Sequence, residues 1–343
     1  MRTENNFDAL RLAFACIVFL FHAYILSQRA ELAALGRWLS PDLAVKGFFV
    51  VSGYLVYMSC ERSQSLRRYF EKRIRRLYPA YCTVILAGVI AGTFFSDAAL
   101  ADYLWSGATA KYLAANLAFA NFLAPGLPGL FADNPNQQAV NGALWTLKIE
   151  VMYYLLVPAI WNVARRTSAV ATFLALYALS VIYSLTMMHW WDVSRDPIYV
   201  VLQRQLPGVL TYFVSGAFFY CYRDALEKYL LALALPALLV YFSDNIVVRL
   251  VFEPITLAAI VVYLGTGARY AGNFCRYGDF SYGIYIVHFP ILQMLIVSGL
   301  FRHPYLGLGV AAGLVLAAAF VLWHTIEKPF LYGNSHYVVA GRS

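Results

Sequence analysis

The sequence predicts an all-α fold: a polytopic transmembrane helical bundle of about ten spans with both termini in the cytoplasm. Three observations carry this reading. Hydrophobic residues make up 61% of the 343-residue chain and charged residues 13%, against about 45–50% and ~25% in soluble domains. Apolar runs recur along the whole chain, close to the ~20 residues that a membrane helix needs. The lysines and arginines then gather on one side of the resulting layout. Mean hydropathy is +0.62. Together these exclude a soluble globular enzyme, a disordered tail and a nucleic-acid-binding domain, and they leave little chain for anything outside the membrane. We expect one integral-membrane domain over residues 1–343.

In chain order the expected spans are about 8–28, 44–60, 78–96, 144–163, 168–186, 206–222, 229–243, 246–264, 280–299 and 306–326. The first run, Leu12 to Leu26, contains His22 and precedes many further spans, so it reads as a retained helix rather than a cleaved leader. The stretch 108–124 is apolar but short and carries Lys111. It could span, re-enter or lie on the surface, and charge placement favours the last two. With the N-terminus inside, sixteen of the 26 Lys and Arg residues fall in inner segments, Arg2 and Arg342 among them, and seven fall outside. An eleventh span would reverse everything after residue 124 and spoil that bias. The long outer loop at 97–143 holds Pro125, Gly126, Pro128, Gly129 and a polar run from Asp133 to Gln138. It is longer than a connector needs to be and is a candidate for covering a site.

The net charge of +8 therefore reads as membrane orientation and not as nucleic-acid binding. The five cysteines are odd in number and widely spaced. Neither a disulfide framework nor a metal site is indicated.

Ionisable side chains inside spans are costly and mark functional candidates. Arg11 and His22 are eleven positions apart, close to three helical turns, so they share one face. Entering near Asp8, the helix carries His22 about 21 Å further on, past the midplane. The plainer alternative is a snorkelling arginine and a histidine bonded between helices. In the fourth span Glu150 lies a couple of turns from the outer surface, at a depth similar to that of His22. An imidazole and a carboxylate at one depth could form a base and its orienter; an ion pair of Glu150 with Lys148 or Arg249 is the structural alternative. Ser52 is weakly placed as a nucleophile because no base falls near it by spacing, though Ser52 and Gly53 would let helices approach closely. His288 could line a pocket or tie two helices. Arg249 and Glu253, four apart, read as an intrahelical pair. His324 and Glu327 read as anchors of the last span. Arg73 and Arg76 sit in the densest basic segment, 61–77, and would share a face if the third helix starts there. Guanidinium forks suit phosphate oxygens, although attraction to anionic lipid also explains basic residues there. Neither a glycine-rich phosphate cradle nor a dinucleotide fingerprint occurs.

Taken together, these residues resemble acyltransferase family 3, the integral-membrane acyltransferases. The carriers, in order, are Arg11 and His22 at their spacing, Gly47-Phe48-Phe49-Val50-Val51-Ser52-Gly53-Tyr54-Leu55, and Arg73 with Arg76 before Leu77-Tyr78-Pro79-Ala80. Then follow Trp145-Thr146-Leu147-Lys148-Ile149-Glu150 with Tyr153-Tyr154, Ser281-Tyr282-Gly283-Ile284-Tyr285 with His288, and Ile326-Glu327-Lys328-Pro329-Phe330. The resemblance spans nearly the whole chain.

It implies transfer of an acyl group, commonly acetyl, from cytoplasmic acyl-CoA to a hydroxyl of an exopolysaccharide, O-antigen or other glycoconjugate. It implies Arg11, Arg73 and Arg76 at the acyl-CoA, and His22 as base or as transient acyl carrier. Glu150 would assist His22. Ser52, Trp145, Tyr153 and His288 are candidates for the acceptor side or the pocket. Where many relatives carry a second Glu and a Gln after the position of Glu150, this chain has Val151 and Met152, so a mechanism needing adjacent carboxylates does not apply. No bound cofactor or metal is expected; acyl-CoA is a co-substrate. The expected partners are the acyl-CoA donor, a glycan or lipid-linked saccharide and membrane lipid, with no nucleic acid. The expected location is a bacterial inner membrane, and the chain reads as the stand-alone type without an added extracytoplasmic domain. A proton-coupled transporter or flippase using His22, Glu150 and His288 is the alternative, against which stands the absence of visible half-repeats.

Overall fold

The computed structural model describes residues 5–136, 138–333 and 335. Arg2, Gln137, Arg342 and Ser343 lie outside the described residues. The principal helices are α1 (Phe7–Ser27), α2 (Pro41–Glu61), α3 (Leu66–Gly92), α4 (Gly107–Leu117) and α5 (Trp145–Arg166), then α6 (Ala169–Ser194), α7 (Leu206–Cys221), α8 (Ile246–Val262), α9 (Phe280–Val297) and α10 (Pro304–Leu322). Among the described residues no strand forms beyond an isolated bridge between Ser96 and Leu130. This is a polytopic all-α membrane fold.

Eight of these helices, taken with the turns that continue them, are long and apolar enough to cross a membrane. They match eight of the ten expected spans. The other two differ for local reasons. The span expected at 206–222 is α7, whose 16 residues reach about 24 Å at 1.5 Å each, short of a ~30 Å hydrocarbon core. The one expected at 229–243 is broken into Leu230–Ala234 and Ala237–Tyr241. Pro236 stands at the break, where its ring and missing N–H oppose a continuous helix. The stretch 108–124 forms α4, whose 11 residues cover only about 16 Å, too little to cross.

The third helix also begins earlier than expected, at Leu66 rather than near residue 78. Ser65 accepts a bond from the Arg68 N–H at 3.2 Å, which is how an N-cap starts a helix. The Arg- and Lys-rich segment after it has high helix propensity. Arg73 and Arg76 therefore lie on one face of α3.

The chain forms two compact units. The first comprises Met1–Arg11, Val45–Phe70 and Ile149–Gly272; the second comprises Leu12–Ala44, Glu71–Lys148 and Asn273–Ser343. In the first unit α7 packs on α6 and α8. It also meets α2 at near backbone contact: a Cβ on Gly53 would lie 2.0 Å from the Phe213 carbonyl oxygen, and one on Gly216 2.1 Å from that of Val50. Only glycine allows that approach. The rings of Phe49, Tyr153 and Phe213 fill the adjoining core, with Tyr153 stacked on Phe213 at 4.1 Å. Helix α6 keeps Leu174, Leu179 and Ile182 on its outside, as a lipid-facing helix must.

In the second unit α9 packs along α10, with Gly283 against Ala319. The segment between α4 and α5 returns onto α9 through side-chain amides.

Candidate active site

The second unit brings two imidazoles together. His22 on α1 and His288 on α9 share a hydrogen bond, Nδ1 of His22 to Nε2 of His288, at 2.9 Å. Their rings lie 5.0 Å apart with planes inclined by 24°. The other ring nitrogen of His288, Nδ1, faces the Ile284 carbonyl one turn earlier at 3.1 Å. His288 is fully buried and His22 half-buried. Phe289 presents its edge to His22 and Phe19 its edge to His288, so apolar rings hold both imidazoles in place. Tyr285, beside His288, bonds through its hydroxyl to Thr146 at 2.7 Å.

A proline prepares this region. Pro290 lies inside α9 and has no N–H to give the carbonyl four residues earlier, that of Ile286. A buried carbonyl left so would be costly. Asn141 donates to it from outside the helix, Nδ2 to O at 2.7 Å. Further amides attach the same segment. Asn134 donates to the Gln293 side chain at 2.8 Å, and Gln293 donates to the Ala139 carbonyl at 3.0 Å. Asn136 donates to the Ile25 carbonyl of α1 at 2.6 Å, and Gln28 donates to that of Pro135 at 3.1 Å. The long polar loop is therefore strapped to α1 and α9, within about two turns of both histidines.

The first unit holds Glu150. Its Oε1 accepts from the Ser52 hydroxyl and from the Tyr154 hydroxyl, each at 2.7 Å. Neither Lys148 nor Arg249 is its partner: Lys148 lies over the Phe122 ring at 4.7 Å, and Arg249 faces Glu253 at 3.8 Å. A proline matters here as well. Pro158, inside α5, releases the Tyr154 carbonyl, and the Tyr69 hydroxyl donates to it at 3.0 Å. Tyr153 is fully buried, and its hydroxyl donates to the Val209 carbonyl at 3.1 Å. Trp145 is half-buried in the second unit.

Arg76 is gripped by two carboxylates, Asp279 and Glu327, at 2.5 Å each. Its guanidinium also lies over the Tyr282 and Trp323 rings. Asp279 caps α9 through the Ser281 N–H at 3.2 Å, so the arginine fastens α3 to the start of α9 and to the end of the last helix. Arg73, one turn earlier, is half-buried. Arg11 pairs with Asp8 on its own helix. The Arg249–Glu253 pair expected from spacing is present, but Lys46 is the nearer partner of Glu253 at 2.7 Å, and Tyr212 adds a bond at 3.1 Å.

Sequence reading named His22, His288, Glu150 and Ser52, and paired His22 with Glu150 by depth. It did not foresee the His22–His288 bond or the Ser52–Glu150 bond, and it passed over Asp279 and Asn141. The signals for the last two were present: Asp279 precedes Ser281 as a helix cap would, and Pro290 marks a carbonyl in need of a donor.

Two imidazoles thus meet in a protein built of helices long and apolar enough to cross a membrane. The chain is a member of acyltransferase family 3: the family model described as "Acyltransferase domain" matches residues 4–324. It is similar to "O-acetyl transferase" of Shigella phage Sf6, with 26% identity over 98% of this chain and 98% of that protein. It is also similar to "Nodulation protein 10" of Rhizobium leguminosarum bv. viciae, with 27% identity over 95% and 93%. A Bacillus subtilis (strain 168) protein provisionally named peptidoglycan O-acetyltransferase is 23% identical over 86% of this chain and 50% of its own length. No solved structure matches the chain. The protein is thus an integral-membrane acyltransferase.

Proposed function

We propose that the protein moves an acetyl group from cytoplasmic acetyl-CoA to a glycan hydroxyl on the outer side of a bacterial inner membrane. Both termini face the cytoplasm in this reading, and the acceptor is an exopolysaccharide, an O-antigen or a lipid-linked saccharide. The relative named for peptidoglycan O-acetylation supports a glycan. The observation that carries the reading is His22: an imidazole on a membrane helix, held by the buried imidazole of His288, in a chain whose family transfers acyl groups.

His22 acts as general base. It takes the acceptor hydroxyl proton as the hydroxyl oxygen bonds to the thioester carbon; the carbon–sulfur bond then breaks, and the CoA sulfur leaves and receives the proton. A neutral imidazole keeps one bare ring nitrogen, and that nitrogen can accept a proton. Glu150 is the second residue we assign to the reaction, since Ser52 and Tyr154 fix its Oε1 and leave Oε2 without a bond among the described residues. Arg11, Arg73 and Arg76 are assigned to the acyl-CoA. Arg76 is already bound by Asp279 and Glu327, so in this conformation its contribution is to hold α3, which presents Arg73. Trp145 is assigned to the acceptor side.

The test is transfer itself. Purified protein in proteoliposomes, given radiolabelled acetyl-CoA and candidate glycans, should place covalent label on the glycan. Movement of unmodified solute with no label on it would overturn the reading in favour of a transporter. Arg73→Ala should raise the KM for acetyl-CoA in a salt-sensitive way; an unchanged KM would remove Arg73 from the donor site.

A further inference from the structure

His22 offers two ring nitrogens, and a base uses one of them. The hydrogen bonds around His288 decide which. A carbonyl oxygen can only accept, so the contact between His288 Nδ1 and the Ile284 carbonyl puts a proton on Nδ1 of His288. In a neutral imidazole the other nitrogen is then a bare acceptor. That nitrogen, Nε2 of His288, faces Nδ1 of His22 at 2.9 Å, so Nδ1 of His22 must be the donor. Nε2 of His22 is then left bare, and the Val18 carbonyl, one turn earlier on α1, is a further acceptor for the His22 ring. His288 itself is fully buried among apolar rings, a setting in which a charge needs an anionic partner. Among the described residues it bonds to none, only to the backbone at Ile284 and Tyr285 and to the other ring.

We infer that His288 is a positioning residue that sets the tautomer of His22 and makes Nε2 the nitrogen that takes the acceptor's proton. This rests on the reading of His22 as the base. The relay starts from the backbone of α9 and passes through two rings. It does for His22 what a carboxylate does in many hydrolases, but with no buried negative charge. The proton taken by Nε2 leaves His22 cationic for as long as the transfer lasts, and the bare Nε2 of His288 remains the acceptor for its Nδ1–H throughout. The rest of α9 supports the register. Asn141 satisfies the Ile286 carbonyl that Pro290 releases, which keeps the turn bearing Ile284 and His288 at the depth of His22.

The test reads protonation directly. Full-length protein labelled with ¹⁵N-histidine, in lipid nanodiscs, is examined by NMR, which separates a protonated ring nitrogen from a bare one. The six histidines are assigned by single substitution. The expected spectrum has His22 protonated at Nδ1 and bare at Nε2. His288→Leu should give His22 a mixture of tautomers and lower kcat roughly 10–100-fold, by analogy with the loss of a residue that orients a metal-bound histidine. The KM for acetyl-CoA should stay within about twofold, since a residue acting only in the transition state moves kcat. His288→Gln, whose Oε1 can accept in place of Nε2, should restore most of the activity. A wild-type His22 protonated at Nε2 overturns the inference, and that spectrum needs no variant to fold. So does His288→Leu with tautomer and kcat both unchanged. Turnover retained by His22→Ala would instead defeat the functional reading, and the wild-type spectrum would be untouched by that failure.

Discussion

The turn of α9 around His288 and the turn of α5 around Glu150 are built on one plan and finished differently. Each helix carries a proline that releases a carbonyl four residues earlier, Ile286 in α9 and Tyr154 in α5. Each released carbonyl is taken by a side chain from elsewhere in its own unit, Asn141 or Tyr69. The outcomes part at the functional group. The histidine pair is neutral, ring-packed and linked in series, so one end of the chain of bonds is a backbone carbonyl and the other is a bare nitrogen. Glu150 instead has two hydroxyls on one oxygen, an arrangement that fixes direction rather than protonation. The first pattern suits proton transfer, the second suits orienting a polar group.

Removing each group should widen that difference. His22→Ala should lower turnover by about 10²–10⁴-fold, the range of a lost general base, while the protein still inserts and folds. Glu150→Gln keeps a carbonyl oxygen for Ser52 and Tyr154 and should lose less, about 10–100-fold, with the loss in kcat. Steady-state kinetics on the two purified variants checks both. Equal losses would break the contrast between a proton-moving and an orienting site.

The ion clusters of the two units are also opposites, and they order the next effects. Arg76 is one cation between two anions, its side chain 11% exposed and those of Asp279 and Glu327 2% and 1%. Glu253 is one anion between two cations, Lys46 and Arg249, whose side chains are 16% and 39% exposed. Arg76→Met takes the guanidinium from two buried carboxylates and should cost about 3–5 kcal/mol. Glu253→Gln leaves long cationic side chains that can reach towards water and should cost less, about 1–3 kcal/mol. Thermal unfolding in one detergent orders the pair. A Glu253→Gln loss as large as that of Arg76→Met would show that exposure does not decide the cost.

What was legible in the sequence, and what was not, follows from what periodicity measures. Length and apolarity locate a helix, so eight spans were readable, and spacing within one helix placed Arg11 with His22 and Arg73 with Arg76. Spacing does not tell which helix faces which. His22 and His288 are 266 positions apart, Ser52 and Glu150 98, and Arg76 and Asp279 203. Hydrophobicity carries no register between such segments. Two local misses had visible causes. Ser65 starts α3 before its apolar stretch, in a segment whose charges made it look like a loop. Pro236 breaks a run whose composition alone reads as a span.

The smallest predicted difference tests the shared plan itself. Tyr69→Phe deletes one hydroxyl and keeps the ring packed, leaving the buried Tyr154 carbonyl without its donor from Tyr69; the cost should be about 1–2 kcal/mol. Asn141→Leu deprives the Ile286 carbonyl in the same way, and it also disturbs the start of α5, because Oδ1 of Asn141 accepts from the Ala143 N–H at 3.2 Å. Its cost should be somewhat larger, about 2–3 kcal/mol, with activity falling beyond what the stability loss explains, since the carbonyl lies two residues from His288. Tyr69→Phe acts on a carbonyl one turn from Glu150 and should leave kcat within about threefold of wild type. Thermal unfolding and kcat on both variants decide it. If Tyr69→Phe harms catalysis more than Asn141→Leu does, the imidazole turn is not the more sensitive of the two, and the proline-released carbonyl in α5 is the one that holds the chemistry in place.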